Sequence, residues 1–171
     1  MLLVCMTAQS ALFSISSSMD VEPEYHKTVI LFKILQFVTF PDNENKNIDI
    51  ICYGEDPMIR SIEDLASSYL ISGRRITVRQ VHSIDSLKAS GKSDLIFISG
   101  NEESALPEIL EQVRVRKILS IGNGNGFAEK GVHINIFTHK SKVSFEINRS
   151  EVEKSGIYLS SKLYKLARII E

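Results

Sequence analysis

The spacing of apolar residues changes along this chain, and the change predicts two kinds of secondary structure. Before residue 123, stretches with apolar residues three or four positions apart alternate with short, continuous apolar runs such as "DLIFIS" at 94–99. The first spacing predicts amphipathic helices, and the continuous runs are typical of strands in the middle of a parallel sheet. After residue 131, apolar and polar residues alternate singly, which predicts an antiparallel hairpin with one buried face.

These patterns predict a single α/β domain. Helices are predicted over 22–40, 58–70, 84–89 and 106–116, and strands over 48–52, 76–81, 94–99 and 117–122. Strands that alternate with helices in this way form parallel sheets with right-handed crossovers. We therefore expect a largely parallel sheet with flanking helices, followed by a late antiparallel β-hairpin and a C-terminal helix.

The last third of the chain carries the predicted hairpin and the closing helix. The apolar face of the hairpin has Val132, Ile134, Ile136, Val143, Phe145 and Ile147, and the polar face has His133, Asn135, Ser144, Glu146 and Asn148. In the closing segment, Ser160 or Ser161 can cap a helix whose apolar stripe is Leu163, Leu166, Ala167 and Ile170.

Composition narrows the classes of function. The chain has 171 residues, of which 43% are hydrophobic and 24% charged, as in an ordinary globular domain. The formal net charge is −1, and the lysines and arginines are scattered along the chain. Because no broad positive field results, we expect no nucleic-acid partner.

The N-terminal segment differs from the rest. Residues 1–15 carry no charge, are too few to span a bilayer as a helix, and run into the small-residue stretch "SISSS". This pattern predicts a secretory signal peptide over residues 1–18, although a basic n-region is missing. A first core helix is the alternative, and "LLVC" is a weak match to a lipoprotein box ending at Cys5.

The stretch "IGNGNGFAEKG" at 121–131 raises the question of phosphate binding. A dinucleotide loop needs glycines at the first, third and sixth positions followed by a helix, and neither Gly122 nor Gly124 starts such a series. The predicted hairpin follows instead of a helix. We therefore interpret the glycines as a tight turn that needs a positive φ at Gly122, Gly124 or Gly126.

No residue pattern predicts catalysis, a metal site or a cofactor. The histidines His26, His82, His133 and His139 lie in separate predicted elements without metal-ligand spacing, and His133 is expected to be a half-exposed strand residue. Serines are not in a nucleophile elbow. Cys52, within an apolar strand, is expected to be a buried thiol.

Several segments in order resemble the YfiR family of small exported regulatory proteins. They are "KTVILFKILQFVTFP", "IICYGEDP", "GRRITVRQV", "SDLIFIS", "GFAEKGVHINI", "VSFEIN" and "SGIYLSSKLYKLARII", which together cover the chain from about residue 25 to its end. The resemblance implies a YfiR-like regulatory domain over residues 22–171. It marks Gly73, Arg74, Gly126, Phe127, Ala128, Gly131, Phe145, Glu146 and Asn148 as family-signature positions.

For these signature positions the resemblance implies roles in turns, in the core and in hydrogen bonding on the hairpin face. Glu146 and Asn148 share one strand face, so they could pin the C-terminal helix or meet a ligand. Some family members have a disulfide with a cysteine at the position of Ser93, and Cys52 stands where its partner cysteine could be. With Cys5 in the signal, no internal disulfide is expected here.

The resemblance implies binding and not turnover. Family members are periplasmic proteins that hold a membrane-anchored diguanylate cyclase inactive, which lowers cyclic di-GMP and biofilm formation, and others accompany sensor kinases. The expected partner is therefore the extracytoplasmic domain of such a cyclase or kinase, with a homodimer and a small-molecule signal allowed by analogy. The alternatives are a periplasmic small-molecule-binding module of a sensor histidine kinase and an enzyme, both using a crevice near Gly54, Ser99 and Gly122.

Overall fold

The computed structural model describes residues 23–40 and 47–171. The predicted signal peptide at 1–18 and most of the polar loop that begins at residue 41 lie outside these residues. Among the helices in 23–40 and 47–171, none is long and apolar enough to cross a membrane.

Helices and strands alternate through most of the chain. The helices are α1 (Pro23–Leu35), α2 (Pro57–Ser68), α3 (Ile84–Ala89), α4 (Leu106–Arg116), α5 (Arg149–Ser155) and α6 (Ser161–Tyr164), with a 3₁₀ turn at Glu103–Ala105. The strands are β1 (Val38–Thr39), β2 (Asn47–Tyr53), β3 (Arg75–Val81), β4 (Leu95–Ile98), β5 (Leu119–Gly122), β6 (Ile134–His139), β7 (Lys142–Asn148), β8 (Tyr158–Leu159) and β9 (Arg168–Ile170).

Seven of these strands form one sheet in the order β3-β2-β4-β5-β6-β7-β9. Strands β3, β2, β4, β5 and β6 run parallel, β7 is antiparallel to β6, and β9 is parallel to β7. The strands β1 and β8 form a separate antiparallel pair. The predicted α/β class, with a largely parallel sheet and a late hairpin, is confirmed.

Both faces of the sheet are covered because its central strands are apolar on both sides. In β2, Ile50 belongs to the core cluster that includes residues of α1 and α2, and Ile51 belongs to the cluster that includes residues of α3 and α4. Both side chains are 0% exposed. Full burial on two sides explains why these strands read as continuous apolar runs.

Local sequence sets several helix ends. The Asp56 side chain accepts a hydrogen bond from the backbone N–H of Met58 and caps α2, and Pro57 occupies the first helical position. At the far end of α4, Lys117 takes a left-handed conformation with φ 55°, a position that more often holds glycine.

The hairpin has the register that the alternation predicts. Ile134 lies opposite Ile147, Asn135 opposite Glu146, and Ile136 opposite Phe145. The two-residue turn uses Lys140 and Ser141, both with positive φ. The apolar and polar faces were therefore assigned correctly within the strands, but Val132 precedes β6 and packs into the cluster that contains α3 and α4.

The closing segment and the first helix differ from the prediction. Ser160 caps α6 as expected, but α6 ends at Tyr164 and residues 168–170 form strand β9. Leu166 is 74% exposed, so the predicted apolar stripe does not exist. Pairing with the edge of β7 satisfies backbone groups that a short terminal helix would leave to water. Similarly, α1 ends at Leu35, and residues 38–39 are the strand β1.

Candidate functional site

Six of the nine signature residues lie on the polar side of the hairpin. The loop residues Gly126, Phe127, Ala128 and Gly131 join β5 to β6. Glu146 and Asn148 share one face of β7, and the Asn148 side chain meets this loop at Ala128. The other signature residues lie elsewhere. Phe145 is 9% exposed and packs in the core on the opposite face, while Gly73 and Arg74 lie in the turn just before β3.

The ring of Phe127 explains the glycines of the loop. This side chain is 0% exposed. A Cβ at Gly124 would lie 2.3 Å from the ring, and one at Gly122 would lie 2.7 Å from it. Gly126 and Gly131 have φ values of 68° and 107°, so they do take conformations that favour glycine. The turn interpretation is confirmed for Gly126, whereas Gly122 and Gly124 are required by close packing.

Asn148 ties three segments together. Its Nδ2 donates to the carbonyl of Ala128 at 2.8 Å, and its Oδ1 accepts from the backbone N–H of Glu151 at 2.9 Å, which caps α5. Its own backbone N–H donates to the carbonyl of His133 at 2.9 Å. One residue therefore fixes the glycine loop, helix α5 and the residue that precedes β6 relative to each other.

Glu146 links the hairpin to the end of the chain. Glu146 is 2% exposed. Its carboxylate forms an ion pair with Arg168 of β9 and accepts a hydrogen bond from Asn135 Nδ2 at 3.4 Å. The guanidinium of Arg168 also lies 5.7 Å from the ring centre of Phe137. Glu146 thus contacts the last strand, where a helix was expected.

His133 is buried, so the expectation of a half-exposed residue is wrong. It is 3% exposed, and its Nδ1 accepts a hydrogen bond from the backbone N–H of Ser120 at 3.0 Å. Its backbone N–H donates to the Ser120 hydroxyl, also at 3.0 Å. Burial lowers the pKa of His133 to about 4. The ring is therefore neutral near pH 7, with its proton on Nε2.

Gly73 and Arg74 belong to the opposite, N-terminal edge of the parallel strands. Gly73, with φ 78°, closes a tight turn between Ile71 and Arg74. Arg74 donates to the carbonyl of Asn47 at 2.6 Å and lies 3.9 Å from the carboxylate of Asp94. Burial raises the pKa of Asp94. Arg74 therefore joins the beginnings of β3, β2 and β4.

In the crevice predicted near Gly54, Ser99 and Gly122, side chains of this chain lie close over two of these residues, Glu102 over Gly54 and Phe127 over Gly122. The Glu102 side chain covers Gly54 so closely that a Cβ there would lie 2.5 Å from its carboxylate. Nearby, Asn123 Nδ2 donates to the Asp56 carboxylate at 2.9 Å. A ligand that contacted Gly54 from this side would have to displace Glu102.

The strand register also shows whether positions 52 and 93 are close enough for the disulfide that some family members carry. Cys52 lies beside Phe97, four residues along the strand from the level of Ser93. Four residues of strand span about 13 Å, which is beyond the reach of a disulfide. Cys52 is a free, buried thiol, and burial raises its pKa to about 12.

Taken together, these contacts form a fixed hydrogen-bonded scaffold. The ring of His133 and the side chain of Asn148 are held by backbone groups, and within residues 23–40 and 47–171 no three His, Cys, Asp or Glu side chains gather as a metal site. The arrangement holds the glycine loop and α5 in place, and it presents their outer surfaces to solvent.

Comparisons with known proteins assign a family. A sequence model described as YfiR/HmsC-like matches residues 25–168. A search of curated proteins finds no significant match.

Solved structures share the fold at low sequence identity. A conserved domain protein from Vibrio cholerae O1 biovar El Tor is 13% identical, with a TM-score of 0.62 over 89% of this chain and 61% of that one. The ABC domain in complex with L-Trp from Streptococcus pneumoniae is 14% identical, with a TM-score of 0.61 over 86% of this chain and 60% of that one. CD0873 from Clostridium difficile, a substrate-binding protein with adhesive properties, is 12% identical, with a TM-score of 0.57 over 84% and 58%. The chain thus spans about three fifths of these structures.

Proposed function

Since this chain belongs to the YfiR/HmsC-like family, we propose that it is an exported regulatory protein that binds the extracytoplasmic sensor domain of a membrane-bound diguanylate cyclase. Binding holds the cyclase inactive, so the protein keeps cyclic di-GMP low and restrains biofilm formation. The protein acts by binding and not by catalysis. The observation that carries this proposal is the family match, which runs over residues 25–168 and so covers nearly the whole described fold.

The proposal includes export to the periplasm. Residues 1–18 act as the signal peptide, and the regulatory domain extends over residues 22–171. The support is the uncharged N-terminal stretch that ends in small residues, together with the start of the family match at residue 25.

We assign the buried signature residues a shaping role in partner binding. Phe127, Glu146 and Asn148 are at most 5% exposed, so they cannot offer much surface to a partner. They hold the glycine loop, the last strand and α5, whose outer side chains remain accessible. A substitution of these residues would therefore weaken partner binding by displacing neighbouring segments.

The alternative is a small-molecule-binding module of a sensor histidine kinase. One similar structure is described as a complex with L-Trp. In this chain, the crevice predicted near Gly54 has the Glu102 side chain over that glycine. A ligand there would also have to prefer one state of the regulator in order to act as a signal.

The proposal is tested in the organism that carries the gene, by chemical cross-linking of a C-terminally tagged chain in living cells and mass spectrometry of captured membrane proteins. Cyclic di-GMP is measured in the same strains. The matched control is the same tagged chain without residues 2–18, which should stay in the cytoplasm.

We expect the full chain to capture a diguanylate cyclase with an extracytoplasmic domain, and deletion of the gene to raise cyclic di-GMP. The control chain should capture no such protein and should fail to restore low cyclic di-GMP. Capture of a sensor kinase with unchanged cyclic di-GMP would contradict the cyclase assignment and favour the alternative. Recovery of the full chain in the cytoplasm would contradict export.

A further inference from the structure

A cleft lies between the end of α4 and helix α5, above the ring of His133. Its volume is about 330 Å³. The charged residues that line it are Arg114 and Lys117 from the end of α4, and Glu151 and Lys154 from α5. Of these residues, only Glu151 contacts the buried scaffold of Phe127, Glu146 and Asn148, through its backbone N–H. The scaffold therefore does not explain why the charged side chains gather here.

Positive charge exceeds negative charge in this cleft. Three cationic side chains face one carboxylate, which leaves an excess of two positive charges. His133 adds none near pH 7, because its pKa is lowered to about 4. An excess of positive charge in a partly enclosed cleft attracts anions more strongly than the same charges would on an open surface.

The single carboxylate orients its neighbours and leaves hydrogen-bond donors free. Glu151 accepts a hydrogen bond from Lys154 Nζ at 2.7 Å, which lowers the pKa of Glu151, and it lies 3.6 Å from Arg114 Nε. Within the described part of the chain, the Nη atoms of Arg114 donate no hydrogen bond. A guanidinium steadied through Nε with both Nη atoms free is suited to bidentate binding of a carboxylate or phosphate.

Lys117 gives a second indication. Its left-handed backbone, with φ 55°, would be less strained for glycine. No ion pair to Lys117 is found among residues 23–40 and 47–171. The chain therefore places an unpaired cation beside the cleft at a position where the backbone does not favour a side chain.

We propose that this cleft binds a small organic anion that carries a carboxylate or phosphate group. The anion accepts hydrogen bonds from both Nη atoms of Arg114, and Lys117 and Lys154 neutralise its remaining charge. This site goes beyond the proposed function, because it needs neither the cyclase nor export.

The test is a titration of the purified full-length protein with inorganic phosphate and, separately, with citrate, followed by ¹H–¹⁵N NMR at constant ionic strength. We expect saturable shifts at the backbone amides of Arg114, Lys117 and Lys154. Lys117→Gln should weaken binding, raising the dissociation constant about tenfold, as expected for loss of one charge-assisted contact. The matched control is Lys142→Gln, which removes an exposed lysine at the hairpin turn and should leave binding unchanged.

Arg114→Gln should weaken binding at least as much as Lys117→Gln. If Arg114→Gln disturbs the fold, Lys117→Gln still decides, because no ion pair of Lys117 within the described residues would be broken by its loss. Shifts that grow linearly without saturation, shifts that map outside the cleft, or equal weakening by Lys142→Gln would overturn the proposal. Failure to find a cyclase partner in cells would not affect this result.

Discussion

The packing of Phe127 against Gly124 predicts a strong energetic coupling between these two positions. In Phe127→Ala, a fully buried ring is replaced by a methyl group, which should lower the free energy of unfolding by about 3–5 kcal/mol. In Gly124→Ala, the new Cβ would lie 2.3 Å from the ring. Overpacking of this kind costs about 1–3 kcal/mol, because a buried ring cannot move away freely.

The double variant tests whether Gly124 is required by this packing or for another reason, such as phosphate binding or a simple turn. Once the ring is absent, the methyl group introduced by Gly124→Ala no longer clashes and fills part of the cavity. Gly124→Ala should therefore cost little, or even stabilise, in the Phe127→Ala background. The expected coupling free energy is about 1–3 kcal/mol. Urea unfolding followed by far-ultraviolet circular dichroism measures all four proteins, since the chain has no tryptophan.

Gly91 provides the matched control for this cycle. It has φ 75° and open space where a Cβ would be, so Gly91→Ala should cost about 1 kcal/mol through the backbone alone. Because Gly91 makes no contact with the ring, its effect should add to that of Phe127→Ala. An additive Gly124→Ala would show that the ring does not require this glycine, and the account of the loop would be wrong.

Further predictions concern the hairpin. The pKa of His133 is about 4 in the folded protein, against 6.5 for an ordinary histidine. The contribution of the neutral ring to the free energy of unfolding is therefore present above pH 6.5 and is lost as the pH falls toward 4. This contribution is about 3 kcal/mol. His133→Asn, which keeps an acceptor for the Ser120 amide, should flatten the pH dependence of urea unfolding in this window, and an unchanged slope would contradict the assignment. Arg168→Gln leaves the Glu146 carboxylate buried without its cation and should destabilise by about 2 kcal/mol; the same substitution in a Glu146→Gln background should cost less, and equal costs would show that the ion pair contributes nothing. Phe145→Ala should lower the free energy of unfolding by about 3 kcal/mol or more and reduce the level of the protein in cells; a stable Phe145→Ala protein would refute its place in the core.

Much of the fold could be predicted because one physical signal was strong. Strands β2, β4 and β5 are buried on both faces, so apolar residues follow one another with few polar interruptions. The hairpin was predicted equally well, since the buried face of β6 and β7 imposes strict alternation on both strands. In both cases the positions of the apolar residues are set by the apolar core that they pack into.

The closing segment could not be predicted for the opposite reason. Strand β9 has only three residues, and none of them is fully buried, so no period is imposed on the sequence there. The spacing of Leu163, Leu166 and Ala167 favours a helix locally. The open edge of β7 and the carboxylate of Glu146 decide the outcome instead, and both are features of distant parts of the chain.

The polar face of the hairpin shows how a buried site can look exposed in a sequence. His133, Asn135, Glu146 and Asn148 alternate with apolar residues, and such alternation normally predicts a face in water. Here α5 and the loop from residue 123 to 131 cover that face, and each of these side chains is at most 5% exposed. Burial of polar groups is costly unless they are hydrogen-bonded, so this cover is possible only because Ser120, Ala128 and Arg168 supply partners. These four side chains are therefore best understood as a set: removal of one partner leaves another polar group buried, which links the glycine loop, α5 and the last strand energetically.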